Sequence, residues 1–409
     1  VSTGSPSITT PENWARLQRY SIIAAGCGLA VFFVFAVTPL AGPHPLTQSL
    51  VSYFVAVNFW LAFPLGCQVL LMTQYLTGGA WGVLLRPILE VGSRTLWLLA
   101  LLFIPVVASM FIGSGSPYPW ARPSTEAVRS DVLDELQART NMMLSPVFTL
   151  ARTASFFGLW LLTGYFLRLW SARWRAGDAA AGQRLPGISG PGLVVYGITI
   201  SFAAMDWVLS LEPFWHSTMY PPIYGISQAL VGMAFATSAI IVLSKYPPLA
   251  GRVRPKHLRD LGGLLLTFVM LWAYFVFSQF MLVWAGNLPD EAFYYYKRMR
   301  GGWQWIGIIL IIFHFFVPFL LLLFRDLKET GRGLLAVAVS VLVVQFIDVV
   351  WWIEAAFPHV GSPLFWIQDI ASFFMLGGVW SWLFLHLLSR TSLEPVHGPT
   401  ECEPEKDDE

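Results

Sequence analysis

The chain has 409 residues, 56% of them hydrophobic and only 12% charged, with a formal net charge of +1. That balance places it among polytopic membrane proteins, leaves no room for a large soluble domain and gives no sign of nucleic-acid binding. The three cysteines, Cys27, Cys67 and Cys402, lie far apart and form no CxxC or CxxCH motif, so no iron–sulfur, c-haem or zinc site and no disulfide framework is indicated.

A bilayer-crossing helix needs about 20 predominantly apolar residues. Ten runs qualify, at about 20–41, 47–75, 94–113, 145–170, 191–212, 220–244, 258–285, 303–324, 333–356 and 363–389. The expected fold is therefore an all-α polytopic membrane protein of ten transmembrane helices. Residues 1–19 are polar, with no cleavable signal expected. A ten-helix domain then covers 20–390, and residues 391–409 form an acidic tail expected to be disordered.

Placing the N-terminus in the cytoplasm puts 18 Lys and Arg residues on the inside and 6 on the outside. Both termini are therefore expected to be cytoplasmic, as the positive-inside rule requires.

Between the runs, 78–93 reads as a short interfacial segment and 171–190 as a basic, Gly/Ala-rich linker. Residues 114–144 read as the longest outside loop, in which Ser124 is positioned to cap a short helix.

The ionisable residues inside the runs are few, because a charge at the bilayer centre costs roughly 2.5–3.5 kcal/mol on insertion scales. They are Arg152, Asp206, His314, Asp348 and Asp369, and all but His314 fall in the outer half of their spans. Glu212, His216, Glu354 and His359 follow near the outer ends. One Arg pairs one carboxylate, which leaves at least one Asp needing water, a proton or another partner. On the cytoplasmic side His257, Arg259 and Asp260 open the seventh span, and Tyr274, Gln279 and His314 lie between the two levels. The pattern reads as two proton half-channels. The inner one starts at His257 and Asp260, and the outer one runs through Asp206, Asp348, Asp369, Glu212 and His216. The bland reading is a static Arg152–Asp ion pair, a hydrogen-bonded core His314 and an ordinary helix start at His257. For haem, His216 and His359 are the only pair at matching depth.

Two stretches mirror each other: Asp206, Glu212, Pro213, His216 in span five and Asp348, Glu354, Pro358, His359 in span nine. A parallel duplication of four helices would produce this.

The stretches DWVLSLEPFWHSTMYP (206–221), HLRDLGGLLLTFVMLWAYFVFSQFMLVWAGNLPDE (257–291), FIDVVWW (346–352) and WIQDIASFFMLGG (366–378) resemble one family. It is alternative complex III, the bacterial quinol:electron-acceptor oxidoreductase. The chain looks like its second, shorter polysulfide-reductase-type (NrfD-like) integral subunit. The resemblance implies two four-helix bundles, about 47–212 and 220–356, with the first and last spans flanking. It implies a bacterial inner-membrane subunit with no redox centre of its own, offering a proton path through Asp206, His257, Asp260, Asp348 and Asp369. The implied partners are a larger paralogous subunit that binds quinol, iron–sulfur and multihaem cytochrome c subunits that carry the clusters and haem c, and membrane lipids. The pattern departs at one point: a histidine is expected directly after Glu212-Pro213, where Phe214 stands. A stand-alone proton-coupled secondary transporter would use the same carboxylates, and a pure scaffold would hold them only in static pairs.

Overall fold

A computed structural model describes residues 12–38, 40, 44–121, 144–212, 215–357 and 364–393. Among the described residues, ten helices are long and apolar enough to cross a membrane: α1 Trp14–Val37, α2 Pro45–Thr77, α3 Trp81–Ser109, α4 Pro146–Arg175, α5 Ala179–Leu211, α6 Tyr220–Leu243, α7 Pro255–Gly286, α8 Trp303–Leu323, α9 Gly331–Ala356 and α10 Phe365–Leu388. No strand occurs among the described residues. The chain is an all-α, multi-pass membrane protein.

Two expectations need correction. The segment 78–93 is not interfacial. It forms the first half of α3, with Leu85, Ile88, Leu89 and Val91 fully buried. The stretch 171–190 is not a linker either. α4 runs on to Arg175, Gly177 makes the turn at φ 98°, and Asp178 caps α5 by accepting from the Ala180 and Ala181 amides. Both extensions carry charges that a hydropathy sum counts as lipid-exposed, whereas here protein groups satisfy them. The Ser124 helix, His359, Pro213, Pro358, Phe214 and the acidic tail lie outside the described residues.

Burial identifies the axis of the fold. The most apolar stretch of α2 is 94% buried, whereas that of α1 is 11% buried. α2 packs against α3, α5, α6, α9 and α10, α6 takes α5, α7 and α9, and α1 lies along α10. At the α2–α6 crossing the backbones touch. A Cβ on Gly66 would stand 2.0 Å from the Gln228 carbonyl oxygen, and one on Gly232 would stand 2.5 Å from the Gly66 carbonyl carbon. Small residues are what allow membrane helices this approach.

Local breaks have local causes. α3 is interrupted at Phe103, where Pro105 cannot donate to the preceding turn. α8 widens into a π-helix over Leu310–Phe316. Pro318 lacks the N–H that the His314 carbonyl would accept, and its ring crowds that carbonyl, which favours a wider turn. Pro64 is accommodated inside α2.

Gly66→Leu should therefore force α2 from α6 and lower stability by at least about 1–3 kcal/mol, the usual cost of overpacking. Gly26→Leu, at a site with nothing within 4 Å of the new Cβ, should be close to neutral. Thermal melts of the two variants in one detergent make the comparison.

Candidate functional site

The helix ends form two faces. The basic face carries the α2–α3, α4–α5 and α6–α7 connections, and the opposite face carries α5–α6, α7–α8 and α9–α10. The buried carboxylates predicted for the outer half-channel gather toward the opposite face.

Ser145 caps α4 by accepting from the Phe148 amide, which sets Arg152 two turns into the helix. Its guanidinium grips Asp206 in a fork, with Nε to Oδ2 at 2.6 Å and Nη2 to Oδ1 at 2.7 Å. The Phe148 ring lies 4.4 Å from the guanidinium carbon. Asp206 thus has the static partner that sequence reasoning allowed for one carboxylate.

Asp348 does not. It is buried on α9 and accepts from the Gln345 amide at 2.9 Å and the Trp352 indole at 3.1 Å, with no ion pair to it among the described residues. It lines a cavity between α2, α6 and α9, with about 30 Å³ of room for water centres. One water needs roughly 10–15 Å³ by that measure. The polar lining includes Asn58, Tyr220, Tyr224, Ser227, Gln228, Gln345 and Asp348. Tyr224 donates to Asn58 at 2.7 Å, and the Tyr196 hydroxyl meets Gln228 at 2.8 Å.

A second, smaller cavity of about 10 Å³ lies closer to the opposite face, lined by Glu212, Trp215, Tyr220, Tyr294, Arg298 and Trp352 among others. Val208, Tyr220 and Trp352 line both cavities, so they adjoin. The short helix Pro289–Arg298 between α7 and α8 delivers the cations. Arg298 bonds Glu212 at 2.8 Å and the Trp352 carbonyl at 3.1 Å, and Lys297 donates to the Ala356 carbonyl at 2.8 Å. Burial holds the Lys297 ammonium below its ordinary pKa, against the pull of Glu212. Tyr294 lies flat on Trp215 at 3.7 Å and covers this cavity. Gln279 is buried and takes the Ser217 hydroxyl at 2.5 Å, which ties α7 to the α5–α6 connection.

Asp369 is fully buried on α10, against Glu354 of α9. Sequence reasoning placed Glu354 near the outer end of its span, where it proves to be buried beneath Gln48 of α2.

The remaining candidates do not join this assembly. His257 accepts from the Arg254 amide at the α7 start, Asp260 is exposed, and His216 is exposed. Tyr274 points outward at 62% exposure rather than into the protein. His314 is fully buried in the π-helical turn, with neither ring nitrogen hydrogen-bonded, and its ring packs 4.0 Å from Trp272. Trp272 also lies near Asp348.

Sequence reasoning missed a buried network toward the basic face. Glu90 of α3 receives the Tyr75 hydroxyl at 3.1 Å, the Ser171 hydroxyl and the Arg175 guanidinium at 2.7 Å. Arg86 lies over Trp174 at 4.5 Å. Arg86 and Glu90 at i and i+4 within an otherwise apolar stretch were the available signal.

A comparison with protein-family models finds no match to this chain, and one with curated proteins finds none either. The site's chemistry rests on its own residues.

Arg152→Leu should destabilise the chain by about 3–5 kcal/mol, because it strands a buried carboxylate. Adding Asp206→Leu should recover most of that loss. Denaturation of the two variants in detergent tests whether the pair is structural.

Proposed function

We propose that this chain is an integral membrane subunit of a quinol:electron-acceptor oxidoreductase of the alternative complex III type. In this reading it carries no redox centre of its own, scaffolds the complex and offers a path for protons. The observation that carries the reading is the pair of adjoining cavities. They lead from Glu212 and Arg298 at the opposite face to Asp348, a buried carboxylate with amide and indole partners but no cation partner among the described residues. A carboxylate locked to a guanidinium, like Asp206, serves the fold. One held only by neutral donors beside room for water can accept and release a proton.

The family assignment is supported by the matching stretches at 206–221, 257–291, 346–352 and 366–378. The basic face would be cytoplasmic, with both termini there, in a bacterial inner membrane. Broad apolar surfaces on α7, such as Phe277 and Trp284, would meet lipid or the partner subunits. The expected partners are the larger quinol-binding paralogue and the iron–sulfur and multihaem cytochrome c subunits.

Movement of one charge across 100 mV is worth about 2.3 kcal/mol, so a pathway open at both ends would dissipate the gradient. Beyond Asp348 the groups met are Trp272 and His314, whose side-chain nitrogens have no hydrogen-bond partner. They form the closed section.

Purification from the native membrane under mild detergent tests the assignment. Co-purification of multihaem, iron–sulfur and larger ten-span subunits is expected, and recovery of the chain alone or as a homo-oligomer would favour a secondary transporter. In the assembled complex, Asp348→Asn should abolish redox-linked proton release while leaving haem and cluster content intact. Unchanged proton release would reduce the chain to a scaffold.

A further inference from the structure

Three helices meet at a second carboxylate site that contains no basic group among the described residues. α9 ends in the turn Glu354–Ala356, α10 contributes Gln368, Asp369 and Ser372, and α2 contributes Gln48, Ser49 and Ser52. Glu354 is 4% exposed and Asp369 0%. Their carboxyl groups are neighbours, with Ser52 beside both, and no hydrogen-bond donor among the described residues reaches either Asp369 oxygen. The Gln48 amide donates to both oxygens of Glu354, at 3.0 and 3.2 Å, and the Gln368 amide donates to the Ser49 hydroxyl.

No Lys, Arg or His pairs with either carboxylate among the described residues. The candidates are engaged elsewhere: Arg298 and Lys297 hold Glu212 and the carbonyls of Trp352 and Ala356. His44, ahead of α2, is exposed. On α1, which packs along α10, the basic residues Arg16 and Arg19 sit at the far end.

Two ionised carboxylates this close would repel each other, besides the cost of burying both. A count of hydrogens agrees. Among the described residues, Gln48 Oε1, Gln368 Oε1 and both Asp369 oxygens are buried without a donor, and the hydroxyls left over nearby are those of Ser52 and Ser372. The site has more acceptors than hydrogens. One acid proton between the carboxyl groups gives Asp369 a donor, turns the repulsion into a hydrogen bond and leaves a single charge beside Gln48.

We infer that Glu354 and Asp369 together bind one exchangeable proton at the junction of α2, α9 and α10. The use of that proton in transport rests on the pathway proposed above, whereas its binding rests on this geometry alone. Loss of the proton would leave two adjacent buried anions, so release requires water to enter or the helices to part. The site thus ties the proton to the packing of α10 on α9.

Infrared difference spectroscopy of the full chain in its complex tests this through the stretch of a protonated carboxyl group, which shifts on transfer to deuterium oxide. The wild-type protein should show such a band at neutral pH. Asp369→Asn and, independently, Glu354→Gln should each remove one protonated carboxyl per chain. Circular dichroism identifies a variant that fails to fold, and the other variant then decides. If a folded variant keeps the full band, the shared proton is overturned whatever the complex does with protons. An absent band together with a melting temperature raised by sodium ions would overturn it in favour of an alkali-cation site. If the band is lost but redox-linked proton release is unchanged, the proton site stands and the pathway reading falls.

Discussion

The backbone contact between α2 and α6 is the constraint on which the rest depends. With Gly66 against Gln228 and Gly232 against Gly66, the two helices approach as closely as main chains can. That approach takes α2 out of contact with lipid along most of its length, and a helix with no lipid face can carry polar groups on several sides. α2 does so. Gln48 reaches Glu354, Asn58 meets Tyr224, Gln68 bonds the Trp160 carbonyl, and Tyr75 reaches Glu90. The cavity beside Asp348 is lined in part by α2 and α6 residues and depends on the same crossing.

Asp206 and Asp348 stand at corresponding places in the mirrored stretches of α5 and α9, each shortly before a 3₁₀ turn. Their surroundings differ in the way that matters for chemistry. Asp206 meets a guanidinium in a two-bond fork, and losing either partner leaves the other buried and uncompensated. Asp348 meets an amide and an indole, which orient it without neutralising it. The glutamates six residues on follow the same allocation as the aspartates before them. Glu212 takes Arg298, and Glu354 takes only Gln48 and the facing Asp369. The first stretch thus fixes both of its carboxylates with cations, and the second leaves both with neutral partners or another acid among the described residues.

The ten crossings were legible because apolar length is a sum over residues and needs no knowledge of neighbours. The starts of α3 and α5 were not. Arg86, Glu90 and Arg175 lower that sum, while the Tyr75, Ser171 and Trp174 groups that accommodate them lie elsewhere in the chain. The same limit explains Glu354. The sequence located it near a helix end but not its surroundings, which are set by Gln48, 306 residues earlier. Tyr274 fails in the other direction: a hydroxyl in an apolar run suggested a polar interior, yet the helix turns it outward. Asp206, Asp348 and Asp369 were legible because a carboxylate deep in an apolar run is costly wherever the helix faces.

The closed section of the proposed pathway follows from what surrounds Asp348 on its other side. The cavity with room for water beside Asp348 adjoins a smaller one toward Glu212, and the two share Tyr220 and Trp352. Toward the centre of α7 and α8 the packing changes to rings, with Trp272 against His314 at 4.0 Å and no hydrogen bond from the indole N–H or either imidazole nitrogen. A proton moves along hydrogen bonds, and here none continues. His314 occupies the turn that Pro318 widens, so its position depends on a helix that is already irregular. Return of that turn to α-helical geometry would re-aim the imidazole by about a quarter turn, since one residue fewer per loop corresponds to roughly 100° of an α-helix. A barrier built from packed rings is tight at rest, and it would open only if that irregular turn re-formed. That combination is what a proton path needs if it is to work against a membrane potential without discharging it.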